Sequence, residues 1–310
     1  RCCLAVSHRP FDKSYNINSA EIVRIMTNTA KPSMLSNCAQ TVRSGDRDRF
    51  LCAMFAPAEH REALFSLYAF NLEIARIRDS VTEPLIGQMR LQWWRDALFS
   101  MAQGTAPHHP VAEALSETLL NYNLTTSHLE CLLESREADM TDEQPRDMAS
   151  LMAYAEGTSA PLIHLSLEIL GVLDRASHGV AKDVGVAWAL TGLMRSLPMY
   201  TAVNKFFVPQ DICHRAGIEV FEFVQQPVSD ALREFILTVS NQAWALITSA
   251  RSHRNVIPRK AIPALLPATL AENYLSILKG ANYDPYKARV DQLTPLGMLK
   301  LSINGFRGSY

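Results

Sequence analysis

Glycine is scarce in this chain of 310 residues, and the glycine-rich loops that bind nucleotides are missing from it. There are 13 glycines, and neither G-x-G-x-x-G nor G-x-x-x-x-G-K occurs. The six cysteines include no C-x-x-C pair and no histidine at a zinc-ligand spacing. The sequence therefore argues against a nucleotide-binding fold of those types and against a zinc site, and it favours a reducing compartment.

The chain also lacks an excess of charge of one sign and an apolar segment long enough to span a membrane. Thirty Lys and Arg stand against 31 Asp and Glu, which leaves a formal charge of −1 and no global positive field to hold nucleic acid. The most apolar stretches, at 185–193 and 261–270, fall well short of the ~20 residues of a transmembrane helix. With 48% hydrophobic and 20% charged residues the chain is globular, and any membrane contact is expected to be peripheral.

The first 37 residues differ from the rest of the chain. The first 40 residues hold five basic, two acidic and seven Ser or Thr side chains, without a continuous apolar core. That composition is typical of the tail of a mitochondrial transit peptide, and it suits an ordinary flexible N-terminal segment equally well. Residues 1–37 are therefore predicted to be a transit-like or flexible segment that precedes a domain at 38–310.

Apolar residues recur at intervals of three and four from Asp46 onward, which is the period of an α-helix. No internal repeat and no low-complexity linker divides the pattern. Residues 38–310 are therefore predicted to form a single all-α domain. Helices are predicted from 58, from 84, at 111–122, 127–140, 148–170, 178–197, 229–254 and 262–279, and from 295 to the end.

A series of short motifs carries a family resemblance. In chain order they are Y-A-F at 68–70, L-x-x-W-R-x-x-L at 91–98, H-P-V at 109–111, R-E-A-D-M at 136–140, Y-A-E-G-T at 154–158, M-R at 194–195 and V-P at 208–209. Together they resemble the squalene/phytoene synthase family, over about residues 38–279. The resemblance implies a single-domain helical bundle of the trans-prenyl synthase type.

The same resemblance directs attention to the aspartates of that family. Its enzymes join two prenyl diphosphates, and Mg²⁺ held by aspartates on two facing helices assists the loss of diphosphate. At the aligned positions, alanine and arginine replace two aspartates of the first motif, and serine and tyrosine replace both of the second. Arg76 is expected to point its charge at the place of the metal, so no catalytic residue, metal or cofactor is predicted. The vestigial pocket is assigned to Tyr68, Ala75, Arg76, Asp79, Arg195, Ser196 and Tyr200.

Each of these residues also has a plainly structural interpretation. Asp79 is expected to form an ion pair with a neighbouring arginine or to lie at a helix end. Arg195 and Tyr200 are expected to be partners in a buried polar network. Trp93 and Trp94 are expected to pack between helices.

Further matches, at 79–81, 86–87, 167–171 and 211–213, are similar to members of the family that take part in assembling mitochondrial respiratory complex I. This likeness implies a protein peripheral on the matrix side of the inner membrane, with complex I subunits or assembly intermediates as partners and no nucleic acid. Two alternatives stay open. One is an active transferase in which Arg76, Arg78 and Arg195 hold diphosphate directly; the other is a carrier with an isoprenoid or quinone lipid in an apolar cavity.

Overall fold

The structure, a computed structural model, describes residues 35–141, 143–288, 290 and 293–310. Within these ranges all regular secondary structure is helical, and residues 36–310 form one compact unit. The predicted transit-like segment at 1–37 lies almost wholly outside the described residues.

The described residues form fifteen α-helices. The turns and loops that join them include four short 3₁₀ helices. The helices are α1 (Asn37–Gly45), α2 (Arg47–Ala53), α3 (Ala58–Ala75), α4 (Pro84–Ala102), α5 (Pro110–Tyr122), α6 (Thr126–Glu137), α7 (Met148–Ile169), α8 (Arg175–Arg195), α9 (Leu197–Ala202), α10 (Gln210–Ala216), α11 (Val220–Phe223), α12 (Asp230–Ser252), α13 (Ile262–Leu265), α14 (Pro267–Gly280) and α15 (Pro295–Arg307).

Capping side chains and prolines determine where many of these helices begin. The Asp46 carboxylate accepts the Arg49 N–H at 3.0 Å and starts α2 directly after α1 ends. Proline stands in the first turn of α4, α5, α9, α13, α14 and α15, where its missing N–H has no intrahelical partner to lose. Side-chain caps at Ser36, Asp46, Asp147, Asp174, Ser229 and Thr294 start six helices.

Helix α8 is the centre of the bundle and packs against α7, α12 and α14. Its contact with α7 is close because Gly185 has no side chain. A Cβ atom at Gly185 would lie 2.6 Å from the Cα atom of Ala160. On the other side of the bundle, α3 packs against α1, α5 and α7. Helix α7 therefore contacts both α3 and α8.

The observed helix bounds differ from the predicted ones at two instructive places. Helix α8 begins at Arg175, three residues before its predicted start, because the Asp174 carboxylate accepts the Ser177 N–H at 2.8 Å. The predicted helix at 262–279 is two helices, since Pro267 has no N–H to donate to the preceding turn. Helices α9 to α11 have four to seven residues each, which is too short for apolar periodicity to reveal.

No single helix in the described part of the chain is long and apolar enough to span a bilayer. One bent pair of segments, Arg259–Leu265 and Pro267–Gly280, meets that test of length and composition when joined across a bend of 41°.

The adjacent Trp93 and Trp94 side chains occupy different environments on α4. Trp94 is 4% exposed and its ring meets the Phe70 ring of α3 edge to face, with centroids 5.1 Å apart. Trp93 is 41% exposed. The prediction that both rings pack between helices is confirmed for Trp94 by this contact, and it is wrong for Trp93, whose side chain is exposed.

We expect Trp94→Ala to lower the free energy of unfolding by about 3–5 kcal/mol, because it empties a site in the core. Trp93→Ala is the matched control and should cost roughly 1 kcal/mol, since its ring is partly in solvent. Urea denaturation of the two variants measures the difference. Equal losses in both would mean that the Trp94 ring does not anchor α4 to α3.

Three histidine rings stack between α6, α7 and α8. The His164 ring lies parallel to His128 on one side and to His178 on the other, with centroids 4.9 and 5.1 Å apart. His178 donates its Nε2–H to the Val172 carbonyl at 3.0 Å, so its Nδ1 accepts from His164 Nδ1 at 2.9 Å. The pKa of His164 is lowered to about 4. Burial is the largest cause, and the two neighbouring imidazoles act in the same direction.

This stack should make stability fall in mild acid. The unfolded imidazole titrates near 6.5 and the folded one near 4, so the unfolded chain binds more protons between these values. The contribution of the neutral His164 ring to the free energy of unfolding should be fully present above pH 6.5 and should decrease as the pH falls toward about 4. Urea midpoints measured from about pH 7.5 down to about pH 4.5 test this. His164→Gln should flatten the profile; an unchanged acid slope in that variant would assign the loss to other groups.

Candidate functional site

A cavity of about 480 Å³ opens between α3 and α8. Its walls come from the turn between α1 and α2, from α3, from the end of α6, from α7 and α8, and from the start of α9. The polar and charged residues that line it are Ser44, Asp46, Arg47, Asp48, Arg49, Asn71, Arg136, Tyr154, Thr158, Ser159, Arg195, Ser196 and Tyr200. The lining is therefore mixed: four arginines and two aspartates lie beside apolar side chains such as Leu72, Trp188 and Met298.

The Asp48 carboxylate, 7% exposed, is held by two partners from distant helices. Arg195 Nη1 at the end of α8 lies 2.8 Å from Asp48 Oδ2, and the Tyr274 hydroxyl of α14 donates to the carboxylate at 3.0 Å. The Arg195 guanidinium also lies over the Tyr274 ring, 4.2 Å from its centroid. Burial disfavours the charged guanidinium, but Asp48 outweighs that effect and the pKa of Arg195 is raised. The prediction that Arg195 belongs to a buried network agrees with this geometry.

A second charged cluster closes the other end of the cavity. Asp139, 2% exposed, lies 3.0 Å from Arg136 Nη1 and 2.9 Å from Lys205 Nζ, and it accepts the Tyr154 hydroxyl at 2.8 Å. Burial would raise the pKa of Asp139, but the two cations lower it. Burial also raises the pKa of Tyr154 well above its usual value. The cluster is therefore an ionised carboxylate with two cationic partners and a neutral phenol.

Four buried polar atoms in the cavity wall have no hydrogen-bond partner within the described residues. They are Nε of Arg49, Oδ1 of Asn71, Nε of Arg136 and Oγ of Ser159. Two of them are cationic donors, one is a neutral acceptor and one is a hydroxyl. Buried polar groups ordinarily have partners, so the cavity is suited to water or a polar group rather than to a purely apolar one.

The structure brings together four of the seven residues assigned to the vestigial pocket. Ala75, Arg195, Ser196 and Tyr200 all line the cavity. Burial, the largest effect, together with the Asp139 and Asp79 carboxylates, raises the pKa of the Tyr200 hydroxyl.

The other three assigned residues lie outside the cavity wall. Tyr68 is buried, with its hydroxyl 3.1 Å from Ser166 Oγ. Arg76 Nη2 lies 3.4 Å from the Gly45 carbonyl oxygen, so its charge does not point into the cavity as the sequence suggested. Asp79 is exposed in the 3₁₀ turn Arg78–Ser80 that follows α3, which agrees with its interpretation as a helix-end residue.

Several cavity residues were not assigned from the sequence. Arg136 and Tyr154, together with Asp139, which pairs with Arg136 behind the wall, stand inside the quoted motifs at 136–140 and 154–158, so a signal for them existed. Asp48 and Arg49 lie in the run D-R-D-R at 46–49, before the first motif. Their role depends on partners more than 100 residues away, such as Arg195, which local spacing does not reveal.

The carboxylates of the cavity do not suit the magnesium ions that the family resemblance implies. Asp48 is paired with Arg195 and Tyr274, and Asp46 is paired with Arg49 at 2.6 Å. In the described ranges no three His, Cys, Asp or Glu side chains converge as a metal site requires. Mg²⁺ needs carboxylate oxygens free to coordinate it, and these are occupied by cations. No catalytic step through a metal is therefore derived for this cavity.

Comparison with known proteins places the chain in a family. Residues 42–299 match the profile of the squalene/phytoene synthases. Assembly factor 6 of NADH dehydrogenase (ubiquinone) complex I from Homo sapiens is 33% identical over 273 residues, 88% of this chain and 82% of the human protein. Presqualene diphosphate synthase from Rhodopseudomonas palustris is 25% identical over 232 residues, 74% of this chain and 82% of that enzyme.

The solved structure of a squalene synthase from Alicyclobacillus acidocaldarius shares the fold. It matches with a TM-score of 0.71 and 21% identity, covering 80% of this chain and 94% of that one. The predicted all-α prenyl-synthase architecture is thereby confirmed. The chain belongs to the squalene/phytoene synthase family.

Proposed function

We propose that this chain is a non-catalytic assembly factor for mitochondrial respiratory complex I, built on a prenyl-synthase fold that has lost its magnesium-binding aspartates. The observation that carries the proposal is the pairing of the cavity carboxylates with arginines, together with Ala75, Ser196 and Tyr200 in the cavity wall. The similarity to the human assembly factor supports the role in complex I.

Electrostatics explains why the cavity is unsuited to the family's chemistry. Unit charges about 4 Å apart interact by roughly 4 kcal/mol at an effective dielectric constant of 20. The wall holds four arginines and two aspartates, and both aspartates are already paired with arginines, so a divalent cation would meet no uncompensated negative charge there. Without the metal, the departure of diphosphate has no comparable stabilisation.

The proposed location and partners follow from the same likeness. The protein is expected on the matrix side of the mitochondrial inner membrane, attached peripherally and in contact with complex I subunits or assembly intermediates. The fold would then supply binding surfaces rather than a reaction centre.

An active transferase is the second candidate. It is favoured by the similarity to presqualene diphosphate synthase and by the unpartnered Nε atoms of Arg49 and Arg136, which suit a phosphate oxygen. A carrier of an isoprenoid or quinone lipid is less well supported, because six charged side chains line the cavity.

We expect the purified protein neither to bind Mg²⁺ in the cavity nor to release diphosphate from farnesyl or geranylgeranyl diphosphate. The reason is the absence of free carboxylates in the cavity wall. Calorimetric titration with Mg²⁺ and a diphosphate-release assay against a no-enzyme blank measure the two properties. Metal-dependent release above the blank would establish the transferase instead.

Loss of the protein from mitochondria should lower assembled complex I and leave isoprenoid products unchanged. Reintroducing the chain as written should restore complex I on a native gel. A variant with Ala75→Asp, Arg76→Asp, Ser196→Asp and Tyr200→Asp should bring no benefit, because the role does not use metal. Normal complex I in the deletion, or a defect confined to isoprenoids, would contradict the assembly role.

A further inference from the structure

The C-terminal helix α15 presents its large apolar side chains to solvent. Leu296, Leu299, Ile303 and Phe306 are 74%, 56%, 41% and 74% exposed. Their spacing of three, four and three residues places them in one row along the helix. The helix has 13 residues, so the row is roughly 20 Å long.

The inward side of α15 combines two glycines and a polar residue with one large apolar residue, Leu301. Gly297 and Gly305 face the bundle, and a side chain at Gly305 would collide with the Phe55 ring. Asn304 donates from Nδ2 to Thr269 Oγ1 at 2.9 Å, and Leu301 is buried. The helix is thus held against the bundle by the close approach of its backbone at Gly305 and by the hydrogen bond of Asn304. An ordinary surface helix buries most of its large apolar side chains, whereas α15 buries Leu301 and leaves the four of the row exposed.

Cations accompany the apolar row. Arg307 is exposed beside the row, at the 100° per residue of an α-helix, whereas Lys300 on the same edge is paired with the Glu272 carboxylate of α14 at 2.5 Å. Arg259 Nη2 donates to the Phe306 carbonyl at 2.5 Å, which brings a third cation to the end of the row. Residues 294–310 contain no Asp or Glu. The surface therefore combines a row of Leu, Ile and Phe with two arginines, Arg259 and Arg307, at its C-terminal end.

We propose that this surface, the α15 face, lies on an anionic lipid bilayer. An amphipathic helix with a Leu and Phe face and flanking Lys and Arg binds in the membrane interface, with its apolar side among the acyl chains and its cations at the headgroups. The inference deepens the proposed function and rests on it for the choice of membrane.

Vesicle flotation with the full chain tests this inference. The protein should float with phosphatidylcholine vesicles that contain cardiolipin and much less with pure phosphatidylcholine. The triple variant Leu296→Gln, Leu299→Gln and Phe306→Gln should lose roughly tenfold or more in partition to the cardiolipin vesicles. Arg307→Gln should weaken binding to the anionic vesicles alone.

A matched control changes three equally exposed apolar residues elsewhere. Leu85, Met89 and Phe99 on α4 are 66%, 64% and 71% exposed, and their change to Gln should leave flotation as in the wild type. The thermal midpoint of each variant identifies a folding defect. Because Phe306 contacts the Phe55 ring at 5.5 Å, Leu299→Gln with Ile303→Gln is the second test variant and avoids that contact.

Three outcomes would overturn the inference: no flotation of the wild type, equal flotation of both α15 variants and the wild type, or a dimer of the wild type that the α15 variants dissociate. The last would assign the face to a second copy of the chain. Flotation uses purified protein and lipid, so its failure is distinct from failure of the assembly role. Normal flotation with unaltered complex I in the deletion would contradict the assembly role alone.

Discussion

The Asp48 carboxylate, buried between the Arg195 guanidinium and the Tyr274 hydroxyl, joins parts of the chain that are 147 and 226 residues apart. It connects α2 to the end of α8 and to α14. Removing one partner of such a pair typically costs ~3–5 kcal/mol, because a buried charge is left uncompensated. The pair therefore constrains where α2 lies, and with it one wall of the cavity.

As a consequence, the cavity has room for a ligand, but its carboxylates are already paired with cationic side chains. Its aspartates neutralise arginines, and Asp139 does the same for Arg136 and Lys205 at the other end. A metal would have to displace those cations before it met an oxygen ligand. In the proposed role the fold contributes binding surfaces on its outside. The α15 face is one such surface, because it exposes four large apolar side chains.

Much of the fold could be predicted because the determinants are local. Prolines at 84 and 295 mark helix starts, and the apolar period around Trp94 identifies a buried face. The site was predicted less completely. Ala75, Ser196 and Tyr200 were found through motif spacing, whereas Asp48 depends on a partner that only the folded chain brings near. Arg76 was expected in the cavity, but its side chain turns toward Gly45 at the end of α1.

A double-mutant cycle between Asp48 and Arg195 tests the central claim most directly. Free energies of unfolding would be measured for Asp48→Asn, Arg195→Gln and the double variant, each with and without Mg²⁺. Pairing of the two side chains predicts a coupling energy of about 1–3 kcal/mol that Mg²⁺ leaves unchanged. Additive effects within ~0.5 kcal/mol, or a wild type that Mg²⁺ stabilises through Asp48, would contradict the account.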